Sequence, residues 1–426
     1  MGSSRAGFAA VALAALVAVQ VGCAVVQRPG PLPPLAPDRY QHAADPDPAV
    51  RSRAADELVA DPAQQGIDFL LVLEQRDVDP AVRAHAAAAV AERSDPSFLD
   101  VLDSSARADP DPAVRQAAQR ARDRLWRRSR DPHVAAAWSV LCPGCGQFYL
   151  HDSTAAEAQL VATAGLLAGG QLLVGNDSVN VDHAAGSTSA AVGFAMASVG
   201  QDLWFYSIFD AYRSARVLRD DAGYRHPITR ETLPELATAP FRPSVLARPW
   251  VWGGVPLALG AALGLEYLFD RGSLSSHGSI FDVRSINVLG HTFQSRPLGF
   301  AAGEAYWAAL FAPVGVGEEA LFRGYLQTEL EEQLGTYGGL AAASGIFGAF
   351  HVVNFIGPGQ DIKQAAFALP VIASVGAAAG LAYIHTGHRL ETSVAMHFWY
   401  DFLLSTVAFA ADPQNQPFVV QFGMPL

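Results

Sequence analysis

The sequence predicts an all-α protein in two parts, an amino-terminal α-solenoid followed by a polytopic transmembrane helical bundle. Two observations predict it. A capped helix start recurs at constant spacing through the first third of the chain, and long apolar segments alternate with short polar ones through the rest. Composition agrees: of 426 residues, 50% are hydrophobic and only 16% are charged, against about 25% charged in soluble domains. The charge is dense before residue 131 and sparse after it. No basic, aromatic-rich patch appears, so the net charge of -12 points to no nucleic-acid partner. Three cysteines are too few for a disulfide-framed fold.

Residues 1–27 open with Arg5, an apolar run from Ala6 to Val19, and Gln20-Val21-Gly22-Cys23. A basic residue, a short apolar stretch and a small-residue end are the layout of a secretory signal. Gly22-Cys23 resembles the cleavage site of a bacterial lipoprotein signal, which makes Cys23 a lipidation candidate and a bacterial inner membrane the expected location. An uncleaved anchor helix is the other reading. Residues 28–42 are proline-rich and read as an extended linker.

Repeats are expected over 43–130. Asp47-Pro48-Ala49-Val50-Arg51 recurs as Asp79-Pro80-Ala81-Val82-Arg83 and Asp111-Pro112-Ala113-Val114-Arg115, each step being 32 residues. Asp before Pro is an N-cap followed by proline at the first helical position. Alanine-rich helices follow, with Val82, Ala86, Ala87 and Val90 at helical spacing. A fixed period with helix starts implies stacked helix pairs, and the copies resemble short HEAT repeats. Solenoids of this kind bind protein partners along an extended surface.

The membrane part begins with a helical hairpin region, 135–211, an Arg-rich loop, 212–248, and then an apolar domain over 249–411, before a tail at 412–426. Apolar segments near 156–175, 187–210, 250–269, 298–317, 337–356, 365–385 and 391–411 each approach the ~20 residues that span a bilayer. Arg213, Arg216, Arg219, Arg225, Arg230, Arg242 and Arg248 mark the 212–248 loop as cytoplasmic, and loop 176–186, without Lys or Arg, as external. The shorter stretch 135–151 is interrupted by Cys142-Pro143-Gly144-Cys145. Without a thioredoxin-like strand pattern around it, this reads as a turn at the membrane surface rather than a redox pair. The string through Gln147-Phe148-Tyr149 resembles one found in small two-helix membrane modules. A secreted repeat domain requires 135–151 to cross the membrane; if it lies on the surface, the repeats are cytoplasmic and Cys23 is not a lipoprotein cysteine.

Ionisable residues stand where a bilayer excludes them, at about 2.5–3.5 kcal/mol each. Glu318, Glu319 and Arg323 close one apolar helix, Phe347 and His351 close a second, and His397 and Asp401 lie in a third. Glu319 and Arg323 share a face and can pair, which leaves Glu318 turned elsewhere by about 100°. His397 and Asp401 also share a face, so Glu318, His351, His397 and Asp401 can converge inside the bundle.

The ordered set Glu-Glu-x-x-x-Arg, Phe-x-x-x-His and His-x-x-x-Asn/Asp, each on its own apolar segment, resembles the three motifs of the CAAX-protease and bacteriocin-processing (CPBP) family. The resemblance implies an intramembrane endopeptidase acting on peptide or protein substrates at the membrane. It implies that Glu318, with His351, activates a water, that His397 and Asp401 face the oxyanion, and that Glu319, Arg323 and Phe347 support them. Members with Asn at the last position can donate an amide hydrogen bond there, which ionised Asp401 cannot. Asp401 is therefore either protonated or an orienter of His397.

Two other readings remain open. Glu318, His351 and His397 are also the ligand types of hydrolytic zinc sites, although the His-Glu-x-x-His helix signature is absent; the expectation is no cofactor, with zinc the alternative. A non-catalytic membrane scaffold or receptor would keep the same residues for packing. His385, His388 and Arg389 read as interface residues, and Glu266 and Glu304 match no motif.

Overall fold

A computed structural model of the chain describes residues 38–174, 188–226, 228–256, 258–260, 264, 278–355 and 362–414. Cys23 and its signal-like surroundings, the 28–37 part of the linker, loop 176–186, Glu266 and the later part of the expected 250–269 span lie outside the described residues. The chain divides into two compact units, one comprising the repeats and the other the apolar remainder.

The repeat unit consists of α1 (Asp38–His42), α2 (Pro48–Val59), α3 (Gln64–Arg76), α4 (Pro80–Glu92), α5 (Leu99–Ala108) and α6 (Pro112–Arg128). Asp47, Asp79 and Asp111 each cap the next helix by accepting from Ala49 N, Ala81 N and Ala113 N. Val82, Ala86, Ala87 and Val90 are all fully buried in the solenoid core, beside Leu58, Leu70 and Leu102. The structure adds a ladder absent from the sequence reading. Arg51 grips Asp77 through two hydrogen bonds of 2.7 and 2.9 Å, and Arg83 grips Asp109 through two of 2.8 and 2.9 Å. Asp77 and Asp109 also accept from the backbone of the capping residues Asp79 and Asp111. Each Arg thus locks its helix to the start of the next repeat by fork-shaped, charge-assisted pairing.

Glu74 lies fully buried on α3, and that burial pushes its carboxyl up to about 7. The folded unit therefore holds a proton that the unfolded chain releases above its ordinary value of 4.5. Stability attached to this group is intact below that value and is lost as pH rises through 7, by about 3 kcal/mol in all. Thermal unfolding of the excised repeat unit should show Glu74→Gln matching wild type near pH 4 and standing above it at pH 8. A variant less stable than wild type at pH 8 would reverse the assignment.

The second unit opens with two short helices, α7 (Pro132–Leu141) and α8 (Cys145–Tyr149). Ten residues of α7 reach only about 15 Å, half a hydrocarbon core, so 135–151 makes no continuous crossing. It is a turned pair, as the Pro-Gly step suggests. Gly144 sits at φ 88°, and a Cβ there would lie 2.3 Å from Ala156 O. Cys142 and Cys145 are joined as a disulfide across the turn. Gln147 explains the following string: its amide donates to Ser207 O and Asp210, and its carbonyl accepts from Ser139.

Four described helices are long and apolar enough to cross a membrane: α9 (Ser153–Val174), Thr336–Val353, Ala365–His385 and Leu390–Ala411. The protein is a membrane protein. Two further expected spans form long helices, α10 (Thr188–Leu218) and, after the short α11 (Leu233–Thr238), α12 (Pro243–Leu246) and α13 (Pro249–Gly253), the helix α14 (Arg296–Glu319). Gln201 and Asp202 on the first, and Glu304, Glu318 and Glu319 on the second, lower their apolar character. A small hairpin not foreseen from sequence pairs Ile286–Val288 with His291–Phe293. Leu289 and Gly290 turn it with φ of 51° and 80°, the two positive values that a two-residue hairpin turn requires.

After α14 the chain widens into a π-helical stretch, Ala320–Gln327, then continues as α15 (Thr328–Leu334), α16 (Thr336–Phe350), a 3₁₀ turn at His351–Phe355, α17 (Ile362–His385) and α18 (Leu390–Ala411). The main core gathers Phe205, Phe209 and Tyr212 of α10, Phe322 and Tyr325 of the π stretch, and Val394 of α18. Gly324 is required in it, because a Cβ there would lie 2.5 Å from the Phe209 ring. Several arginines of the 212–248 loop are tied down. Arg242 and Arg248, with Arg389, converge on the buried Glu391. Glu231 accepts from Leu390 N and Glu391 N at 2.7 and 3.2 Å, capping the start of α18.

Candidate active site

The three motif clusters meet in one buried place. Glu318 and Glu319 end α14, Arg323 lies in the π stretch, Phe347 and His351 come from the end of α16, and His397 and Asp401 from α18. A π-helical widening at such a position is a recurrent feature of functional sites. All six ionisable residues are buried, from 0% exposed at Glu319 to 9% at His397.

Glu319 and Arg323 pair as their spacing suggests, Nη1 donating to Oε1 at 2.9 Å. The guanidinium also donates to Gly376 O at 2.9 Å and lies 4.4 Å over the Phe347 ring. Glu319 Oε1 further accepts from His397 Nδ1 at 2.7 Å. One carboxylate therefore fixes both the arginine of the first motif and the histidine of the third. Phe347 packs against His351 and His397 at ring-centroid distances of 4.6 and 6.2 Å, so it is a wall between the three motifs.

Glu318 is placed differently. Its Oε2 faces His351 Nε2 and His397 Nε2, each at 3.8 Å, and accepts no hydrogen bond. His351 Nδ1 donates to Phe347 O at 2.8 Å. A carbonyl only accepts, so the Nδ1 proton is fixed and Nε2 is left turned to Glu318. His397 Nε2 lies 3.2 Å from Asp401 Oδ2. Two imidazoles are thus aimed at the unpaired buried Oε2 of Glu318.

The structure adds residues that the sequence reading missed. Asp202 of α10 is 4% exposed and within electrostatic reach of Glu318 and His397. Its approach needs Gly317, since a Cβ there would lie 2.5 Å from Asp202 Cβ. Gly376 seats Arg323; a Cβ on it would come 2.8 Å from the Phe347 ring. Intramembrane acid and an adjacent glycine were visible signals, but their pairing across the chain was not. Of the residues left unassigned, Glu304 accepts from Thr406 at 2.7 Å on α18, and His385 stacks on Trp250 at 4.5 Å.

Residues 301–403 match the family model described as Type II CAAX prenyl endopeptidase Rce1-like. Over that segment the chain is similar to Rce1-like CAAX endopeptidases. Residues 36–121 match the model for HEAT repeats, so a segment similar to Rce1-like proteins follows an amino-terminal HEAT array. No curated protein and no solved structure matches the chain. The Rce1-like match contains all three motif clusters, from Glu318 to Asp401.

Proposed function

We propose that this protein is an intramembrane endopeptidase that hydrolyses peptide bonds of membrane-associated or lipidated substrates with a water activated by Glu318. The observation that supports it is the unpaired buried Oε2 of Glu318 between two imidazole nitrogens. In this reading Glu318 takes the proton of a water as it attacks the peptide carbonyl, and His351 Nε2 accepts and relays that proton to the leaving amine. His397 faces the oxyanion. With Nδ1 committed to Glu319, it donates from Nε2 only as an imidazolium, for which the carboxylates at both ring ends supply compensating charge. Asp401, close to Nε2, orients that ring, so its lack of an amide donor does not disable the site.

In this reading Glu318, His351 and His397 fill the acid-base and oxyanion roles themselves. The HEAT array recruits a protein partner or substrate. The short α7 and α8 fit repeats on the cytoplasmic side, the side of the Arg-rich loop, and in that topology Cys23 is not lipidated.

The test is cleavage of a quenched peptide library by the purified full chain in liposomes. Wild type should cleave and His351→Ala should not. Asp401→Asn, which restores the amide of other family members, should keep activity within about tenfold, one step of 1.4 kcal/mol, whereas Asp401→Ala falls further. Equal loss in both variants would remove the orienting role.

A further inference from the structure

A second cluster lies away from the catalytic residues. His226 of the Arg-rich loop, Glu331 of α15 and His388 of the turn before α18 each offer one donor atom, all within 4.8 Å of one another. His388 Nε2 is 2.9 Å from Glu331 Oε2. The His226 and His388 rings stack at 4.4 Å. Glu331 is 1% and His388 8% exposed.

The surroundings hold these donors in place. Gln327 donates to Glu331 Oε1 at 2.7 Å, leaving Oε2 to the cluster. The backbone of His226 is held at both ends, its N–H donating to Glu332 at 3.4 Å and its carbonyl accepting from Arg216. His388 has φ 60°, directly after Gly387 at 75°. A left-handed histidine is strained and persists only where its neighbours over-determine it. Here its N–H donates to Tyr383 O at 2.8 Å, and the Tyr383 ring packs edge-on at 4.9 Å.

We propose that His226, Glu331 and His388 form a zinc site that clamps together the ends of the two helices carrying the first and third motifs. Two imidazoles and a carboxylate suit a borderline-soft divalent ion such as zinc, with water as the fourth ligand. Donors across a tetrahedral zinc stand roughly 3.4 Å apart, so the His388–Glu331 contact opens slightly and His226 closes in. Gln327 is the outer partner that orients the ligating carboxylate. Glu331 continues the helix that leaves Glu318, Glu319 and Arg323, and His388 immediately precedes the helix of His397 and Asp401. Bound zinc therefore acts on the spacing of the motifs, and its binding is measurable without substrate.

The full chain, purified in detergent and stripped with chelator, is titrated with cobalt(II) while visible d–d absorption is followed, and its thermal midpoint is read with and without zinc. Wild type should take one equivalent in a tetrahedral spectrum and gain thermal stability with zinc, and Glu318→Gln should behave the same. Gln327→Ala should weaken binding about 10- to 100-fold, and His226→Ala and Glu331→Gln should weaken it further. His226 is only partly buried in a loop, so its variant makes the smallest demand on folding. No cobalt band and no zinc-dependent shift in wild type would overturn the site. So would a band that survives His226→Ala and Glu331→Gln but disappears in His351→Ala, which would place the ion at the catalytic cluster instead.

Discussion

Replacing Glu318 by Gln should lower kcat/KM by about 10²- to 10⁴-fold, the range for loss of a general base, while leaving the thermal midpoint unchanged or raised. The two halves of this expectation come from the same geometry. Glu318 Oε2 accepts no hydrogen bond, so the amide of Gln deprives no partner, and the variant removes a buried charge that is costly in an apolar interior. What it removes chemically is the carboxylate oxygen facing both His351 and His397 at 3.8 Å. His351→Ala should fall by a comparable factor, and the double variant little further, because groups acting as one unit are not additive. Single-turnover cleavage with folding checked by thermal unfolding separates the cases. Cleavage near wild-type rate by Glu318→Gln would sink the glutamate mechanism, and with intact cellular function would favour the scaffold reading.

Arg323→Met should destabilise the membrane unit by about 3–5 kcal/mol, the cost of stripping one partner from a buried ion pair. Arg323 is 2% exposed and Glu319 not at all. Without the guanidinium, Glu319 loses its cationic partner and keeps His397 and Ser393, while Gly376 O loses its donor and the Phe347 face its cation. The double replacement Arg323→Met with Glu319→Leu should recover part of the stability, since two apolar groups leave no stranded charge. It should recover no activity, because His397 is then unanchored. Denaturant unfolding in mixed micelles reads the first quantity and peptide cleavage the second. A double variant as unstable as the single would mean that packing, not charge, is what Arg323 supplies.

Much of this architecture was legible because it is written at short range. The Asp-Pro starts, the alanine spacing of α4, and the Glu319–Arg323 and His397–Asp401 pairs each lie within a helical turn or a fixed repeat. There the 3.6-residue period alone determines who shares a face. The all-α class and the membrane character followed likewise, from the length and apolarity of single segments. The three motifs were individually ambiguous, and their order along successive apolar helices made them a candidate site.

What tertiary structure alone decided are the meetings between segments distant in sequence. The spacing showed that Arg51 and Arg83 recur, but not that each reaches the aspartate two residues before the next cap. Nothing local places Asp202 against Gly317, or Gly376 beneath Arg323, because both contacts depend on how closely two helices approach once their glycines remove the Cβ. Composition left open whether 135–151 crosses, because it counts apolar residues, whereas the turn at Gly144 divides them into two short helices. His226, Glu331 and His388 come from three separate segments, and only the packing of the bundle made them neighbours.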